Sequence, residues 1–260
     1  MHVGQTNDER VLDVLVSRAH TISVGGRKVH PYFIASDLAA VIALIVSLAV
    51  LRRFPGIAAK QFTLVFVGMI AYYRAALAVK ARWFAMPSRS FLQDSLFVLF
   101  PVYALVVWTL HYPLALAFDV VGVLLPVYLA VVRIGCFLGG CCYGAPSRLG
   151  VMYPREIFTP VDGCRRFRPG AMPDGRVLPV QLMESAGALL LFIALFTWLM
   201  QQPSPPGTIL PLFLLGYSSF RFVLDFWRPM SARPRMGSWS EAQVVCVLTS
   251  MACAIWLAAH

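Results

Sequence analysis

Charge is scarce in this chain. Of its 260 residues only 13% are Asp, Glu, Lys or Arg, about half the share found in a soluble domain. With 59% hydrophobic residues, too little polar surface remains to cover a water-soluble core. That excludes an ordinary soluble globular fold. Metal-binding and disulfide patterns are missing as well. Cys136, Cys141 and Cys142 cluster, but their spacing does not match paired Cys-x2-Cys zinc patterns and implies no disulfide framework. The first 32 residues are mixed and polar with no uninterrupted apolar core, so no cleavable signal peptide is expected. The net charge of +10 is no nucleic-acid footprint, because its cations lie between apolar runs and not along one solvated face. They suit topology signalling and attraction of anionic lipid head groups.

What is present is a series of apolar runs, each close to the roughly 20 residues a helix needs to cross a bilayer. Seven spans are expected, at about 33–51, 61–79, 91–110, 114–132, 180–200, 208–227 and 242–259. The fold class is therefore all-α, a polytopic membrane helical bundle of about seven transmembrane helices. Residues 1–32 form a polar N-terminal segment and 33–260 the membrane domain, within which 133–179 is a polar, Pro/Gly/Arg-rich loop segment. Val11, Leu12, Leu15 and Val16 recur at helical spacing between Asn7 and His20 and predict a short amphipathic helix on the membrane surface. Cys246 and Cys253 lie inside the last run as small packing residues.

Several spans carry groups that a plain anchor avoids. Arg74 follows Tyr72 and Tyr73 in the second. Gln181 and Glu184 open the fifth. Tyr217, Arg221 and Asp225 share one helix face in the sixth at spacing four and four, with Arg228 three residues on. Arg133 stands at the edge of the fourth span, ahead of Gly135, Cys136, Cys141, Cys142 and Gly144. Arginine at the edge of a bilayer core is costly and marks a functional site. Arg221 and Asp225 can pair to hold the bundle together. Against that, Arg74, Arg133 and Arg221 outnumber the acids near them, and surplus cations facing a cavity suit an anionic ligand.

Three ordered motifs then resemble the prolipoprotein diacylglyceryl transferase family: Arg133-Ile134-Gly135-Cys136-Phe137 with Gly144; Pro179, Gln181, Leu182 and Glu184; and Gly216-Tyr217-Ser218-Ser219-Phe220-Arg221-Phe222 with Asp225, Phe226, Trp227 and Arg228. The resemblance covers about 32–228. It implies a transferase of the bacterial cytoplasmic (inner) membrane that moves a diacylglyceryl group from phosphatidylglycerol to the thiol of a prolipoprotein acceptor. By that resemblance Arg133, Arg221 and Tyr217 are the catalytic residues, the two arginines gripping and polarising the lipid phosphate. Tyr32, Arg74, Gly135, Cys136, Gly144, Gln181, Glu184, Asp225 and Arg228 surround the substrate. Glu184 and Gln181 would orient the arginines, and Gly135 and Gly144 would let backbone approach the head group. No metal, soluble cofactor or nucleic acid is implied.

The chain also departs from that pattern. The family asparagine after Ile-Gly is Cys136, a second is Gly139, and the glutamate that follows is Cys141; the histidine before the Pro-x-Gln motif is Leu178. His111 lies where the family has a His-Gly-Gly segment, but Tyr112 and Pro113 follow it. Two rival readings stay open: a lipid-binding membrane protein that kept the pocket without the reaction, and a thiol-redox membrane protein built on Cys136, Cys141 and Cys142. Loop charge and resemblance disagree over sidedness. Most Lys and Arg fall on the side of the N-terminal segment, opposite Arg52, Arg53 and Lys60, which places that side in the cytoplasm. The family orientation places it outside.

Overall fold

The computed structural model describes residues 10–19, 23–24, 27–52, 57–83, 99–158, 172–201, 205–229 and 235–259. Among them are eight α-helices: α1 (Val11–Ala19), α2 (Pro31–Leu51), α3 (Ala59–Trp83), α4 (Phe100–Thr109), α5 (Leu114–Leu138), α6 (Val180–Gln201), α7 (Ile209–Asp225) and α8 (Glu241–Ala259). Strand is confined to β1 (Ser23–Val24) with β2 (Arg27–Lys28), β3 (Pro146–Val151), and β4 (Arg235–Met236) with β5 (Trp239–Ser240).

Four helices are long and apolar enough to cross a membrane: α2, α5, α6 and α8. The chain is thus an all-α, multi-pass membrane protein, but seven spans are not established. The sequence periodicity is present in the others while their length or charge differs. α3 is 25 residues long but carries Lys60, Arg74, Lys80 and Arg82. α7 has 17 residues and α4 has 10; the start of the third expected span, from Phe91, lies outside the described residues.

α5 is the central helix, packed along α2, α6 and α7, and α7 packs in turn along α8. Close approach is set by glycine. A Cβ on Gly122 would stand 2.7 Å from the Leu210 backbone, so α5 and α7 can touch only with hydrogen there. Helix starts are capped by side chains. His30 Nδ1 accepts the Tyr32 N–H at 3.2 Å ahead of Pro31. The buried Asp119 carboxylate of α5 reaches across to the start of α7 and accepts the N–H groups of Gly207 (2.6 Å), Ile209 (2.8 Å) and Leu210 (3.3 Å). A carboxylate at a helix N-terminus complements the dipole as well. Ser240 and Gln243 form a reciprocal capping box at the start of α8, with bonds of 3.1 and 3.0 Å.

Two apolar cores result. The larger fills the bundle around Val107, Val120, Val123, Ile209 and Phe213. The smaller sits beyond the end of α5 and joins Val16 of α1 to Phe137, Val151, Tyr153, Ile157 and Val177. The N-terminal helix expected on the membrane surface therefore buries one edge against the loop segment instead. Asp13 fastens it there, pairing with Arg176 at 2.8 Å and accepting the Met152 N–H at 2.9 Å. This cap lies over the bundle end where α5 finishes and α6 begins.

Candidate functional site

Alternating helix direction gathers the polar residues at that one end. Arg133 is near the C-terminus of α5, Glu184 in the first turns of α6, Tyr217 and Arg221 in the second half of α7, and Arg228 just beyond it. Glu184, 0% exposed, is the centre. Its Oε1 accepts from Arg133 Nη2 at 2.9 Å and from the Tyr217 hydroxyl at 2.6 Å. Its Oε2 accepts from Arg228 and lies 3.7 Å from Arg221 Nη1. Arg221 also stands 3.9 Å from Asp225. The sixth-span face of Tyr217, Arg221 and Asp225 thus turns inward, and α5 supplies the arginine that meets it.

Three guanidinium groups here face two carboxylates. Arg133 Nε, Arg221 Nη1 and Arg228 Nε are buried and make no hydrogen bond among the described residues. A buried donor left without an acceptor costs about 1–3 kcal/mol, so the arrangement calls for an anion with several oxygens. Burial, and then repulsion from Arg221, pull the Arg228 guanidinium down to about 10, with Glu184 opposing. Exposure separates the cations: the Arg228 side chain is 2% exposed, while Arg133 and Arg221 keep 17% and 12%. The latter two can reach a ligand; Arg228 holds Glu184 from behind.

Other sequence candidates fall in different places. Tyr32 on α2 lies within electrostatic reach of Arg133, Cys136 and Tyr128. Arg133 Nη1 is 4.0 Å from the Cys136 sulfur. Arg74 pairs with Asp37 of α2, and both side chains are more than half exposed. Gln181 does not orient an arginine: its amide donates to the Cys141 carbonyl at 2.7 Å and to the Tyr153 hydroxyl at 3.3 Å, pinning the turn after α5. Gly135 and Gly144 do not open space for a head group either. A Cβ on Gly135 would strike Ala35 and Tyr32 of α2, and one on Gly144 would strike Val180 and the Leu178 carbonyl. Their positions are already filled by neighbouring chain.

Three residues join the site without a sequence signal. Ser240, the α8 cap, donates its hydroxyl to Asp225 at 2.5 Å and so braces the acid beside Arg221. Cys142 is exposed next to the arginines, with φ 59° in the left-handed region. His30 packs its ring against Gly139, where a Cβ would collide with it. The serine followed three residues on by glutamine was the one readable cue, since it marks a capping box.

A multi-pass helical bundle with a sealed carboxylate that assembles arginines from separate helices is a membrane protein built to hold an anionic group at the bilayer edge. The family model for prolipoprotein diacylglyceryl transferase matches residues 95–259, and the chain belongs to that family. It is similar to the phosphatidylglycerol–prolipoprotein diacylglyceryl transferase of Bordetella avium (strain 197N), 33% identical over 110 residues, which are 42% of this chain and 37% of that one. It is similar to the enzyme of the same description from Azoarcus sp. (strain BH72), 33% identical over 132 residues, 50% of this chain and 45% of the other. A third, from Clostridium tetani (strain Massachusetts / E88), is 29% identical over 119 residues, 45% and 42% of the two chains. The chain spans less than half the length of these relatives.

Proposed function

We propose that the protein is a phospholipid-dependent transferase of the bacterial inner membrane that moves a diacylglyceryl group from phosphatidylglycerol to an acceptor thiol, a prolipoprotein cysteine being the acceptor its relatives' description names. The observation that carries this reading is the shared carboxylate: Arg133 and Arg221 converge on Glu184 from different helices, and neither is neutralised by an acid of its own.

In this mechanism the lipid phosphate lies against the open edges of Arg133 and Arg221. A guanidinium offers two parallel donors and stays charged, so it grips the phosphate in both ground and leaving states. The acceptor thiolate attacks the glyceryl carbon that bears the phosphate. A carbon–sulfur bond forms, the carbon–oxygen bond breaks, and glycerol phosphate departs with the electron pair. Charge grows on the departing phosphate, where the two arginines stabilise it in a dry site. Glu184 and Tyr217 keep the guanidinium planes fixed, and Asp225, held by Ser240, does the same for Arg221 from the other side.

The substitution of Cys136 for a family asparagine beside Arg133 supports a second reading, a lipid-binding protein without the transfer step. Expression in transferase-depleted bacterial cells tests the two. Restored lipoprotein maturation, lost in Arg133→Ala and Arg221→Ala, supports transfer. Phosphatidylglycerol binding without maturation supports the second reading.

A further inference from the structure

Resting on the transferase reading above, we propose that this chain carries its own acceptor: Cys142 takes the diacylglyceryl group from phosphatidylglycerol as a thioether within the site. Cys136, Cys141 and Cys142 have their sulfurs within hydrogen-bonding reach of one another, and Cys142 is the acceptor of the other two. Cys136 and Cys141 are buried whereas Cys142 is exposed. Only Cys142 can therefore meet a lipid.

The turn is built to present it. Cys141 N–H bonds the Cys136 carbonyl at 3.1 Å, Gln181 holds the Cys141 carbonyl, and Gly144 N–H bonds Leu178 at 2.9 Å. Between those fastenings Cys142 is held at φ 59°, a conformation costing a non-glycine residue roughly 1–2 kcal/mol. Strain of this kind persists where the surroundings impose it and is common at functional sites. Hydrogen bonds from Cys136 and Cys141, and then the charges of Arg133 and Arg228, hold the Cys142 thiol well below its usual range against the effect of burial. The thiolate is the nucleophilic form. A metal is a weaker occupant, since among the described residues no three His, Cys, Asp or Glu side chains are placed to hold one.

The step balances without a co-reactant. The Cys142 sulfur bonds to the glyceryl carbon bearing the phosphate, and the bond from that carbon to the phosphate oxygen breaks. Glycerol phosphate leaves with the electron pair, and the thiol proton passes to it or to water.

Mass spectrometry of the full chain, purified and reconstituted in phosphatidylglycerol nanodiscs, tests this. The expected result is a single diacylglyceryl adduct, stable to hydroxylamine, mapped to the peptide of Cys142 with an equivalent release of glycerol phosphate. It is absent from phosphatidylcholine nanodiscs and from Cys142→Ser. Mapping on the unmutated chain stands even if that variant fails to fold. A free Cys142 alongside alkylation of a cysteine peptide added in trans overturns the proposal and leaves the transferase reading intact. A hydroxylamine-labile acyl adduct, or loss of two hydrogens to a disulfide, overturns it too. No alkylation of either thiol overturns both.

Discussion

Arg133 donates to Glu184 Oε1 at 2.9 Å, and the same oxygen takes the Tyr217 hydroxyl at 2.6 Å. One buried oxygen thus ties α5 and α7 to α6. With Arg228 on the other oxygen and Arg221 within 3.7 Å of it, this carboxylate organises every cation of the site.

Glu184→Gln should therefore destabilise the protein far more than an isosteric change does at a surface. Breaking a buried ion pair from one side typically costs about 3–5 kcal/mol, because the remaining charges stay desolvated. The thermal midpoint in detergent should fall, and added phosphatidylglycerol should narrow the deficit by supplying a substitute anion. An unchanged midpoint would remove Glu184 from its central role.

The three arginines should part company on conversion to lysine. Arg133→Lys and Arg221→Lys keep the charge but lose the planar fork. Glycerol phosphate release should drop by about 100- to 1,000-fold, the scale for losing one transition-state donor. Arg228→Lys should mainly lower thermal stability, since Arg228 is sealed behind Glu184. Equal kinetic losses in all three would contradict the division of roles drawn from their exposure.

Much of this site was legible before any coordinates. Spacing put Tyr217, Arg221 and Asp225 on one helix face, and the scarcity of acids near the arginines pointed to an anionic ligand. Gly135 and Gly144 misled because a glycine looks the same from sequence whether it admits a ligand or a neighbouring helix; here α2 and Val180 occupy the space. Gln181 sat one turn from Glu184 but points at the Cys141 carbonyl, a contact set by how the loop folds back. Hydropathy found α2, α5, α6 and α8 because they are long and apolar. It could not settle α3, whose cations depend on partners such as Asp37 that only packing reveals.

Ser240 offers a check on positioning as distinct from chemistry. It caps α8 and holds Asp225 at 2.5 Å, yet it has no printed role in gripping phosphate. Ser240→Ala should cost about 1–2 kcal/mol through the lost cap and the buried hydrogen bond. By releasing Asp225 it should also loosen Arg221 and raise KM for phosphatidylglycerol more than it lowers kcat. Ser240→Thr keeps the hydroxyl and should recover both. A variant that is destabilised with unchanged KM would confine Ser240 to capping.

His30 gives the fold a pH dependence whose sign can be worked out. Burial pulls the ring down to about 4, partly opposed by its hydrogen bond to the Gly139 backbone, whereas an unfolded histidine titrates near 6.5. Between those values the unfolded chain binds a proton that the folded chain refuses. Stability must then fall as pH is lowered from about 6.5 towards 4 and be insensitive to this group above that window. The limiting slope is about 1.4 kcal/mol per pH unit, and the partly exposed ring should deliver only a fraction of it. His30→Asn retains a capping acceptor for Tyr32 N–H but has no titrating ring. Thermal midpoints measured from pH 6.5 down to 4.5 should decline more steeply for the unmutated protein than for His30→Asn. Parallel declines would show that the ring is already protonated in the folded state, and that α2 is not anchored to the Gly139 turn through a neutral histidine.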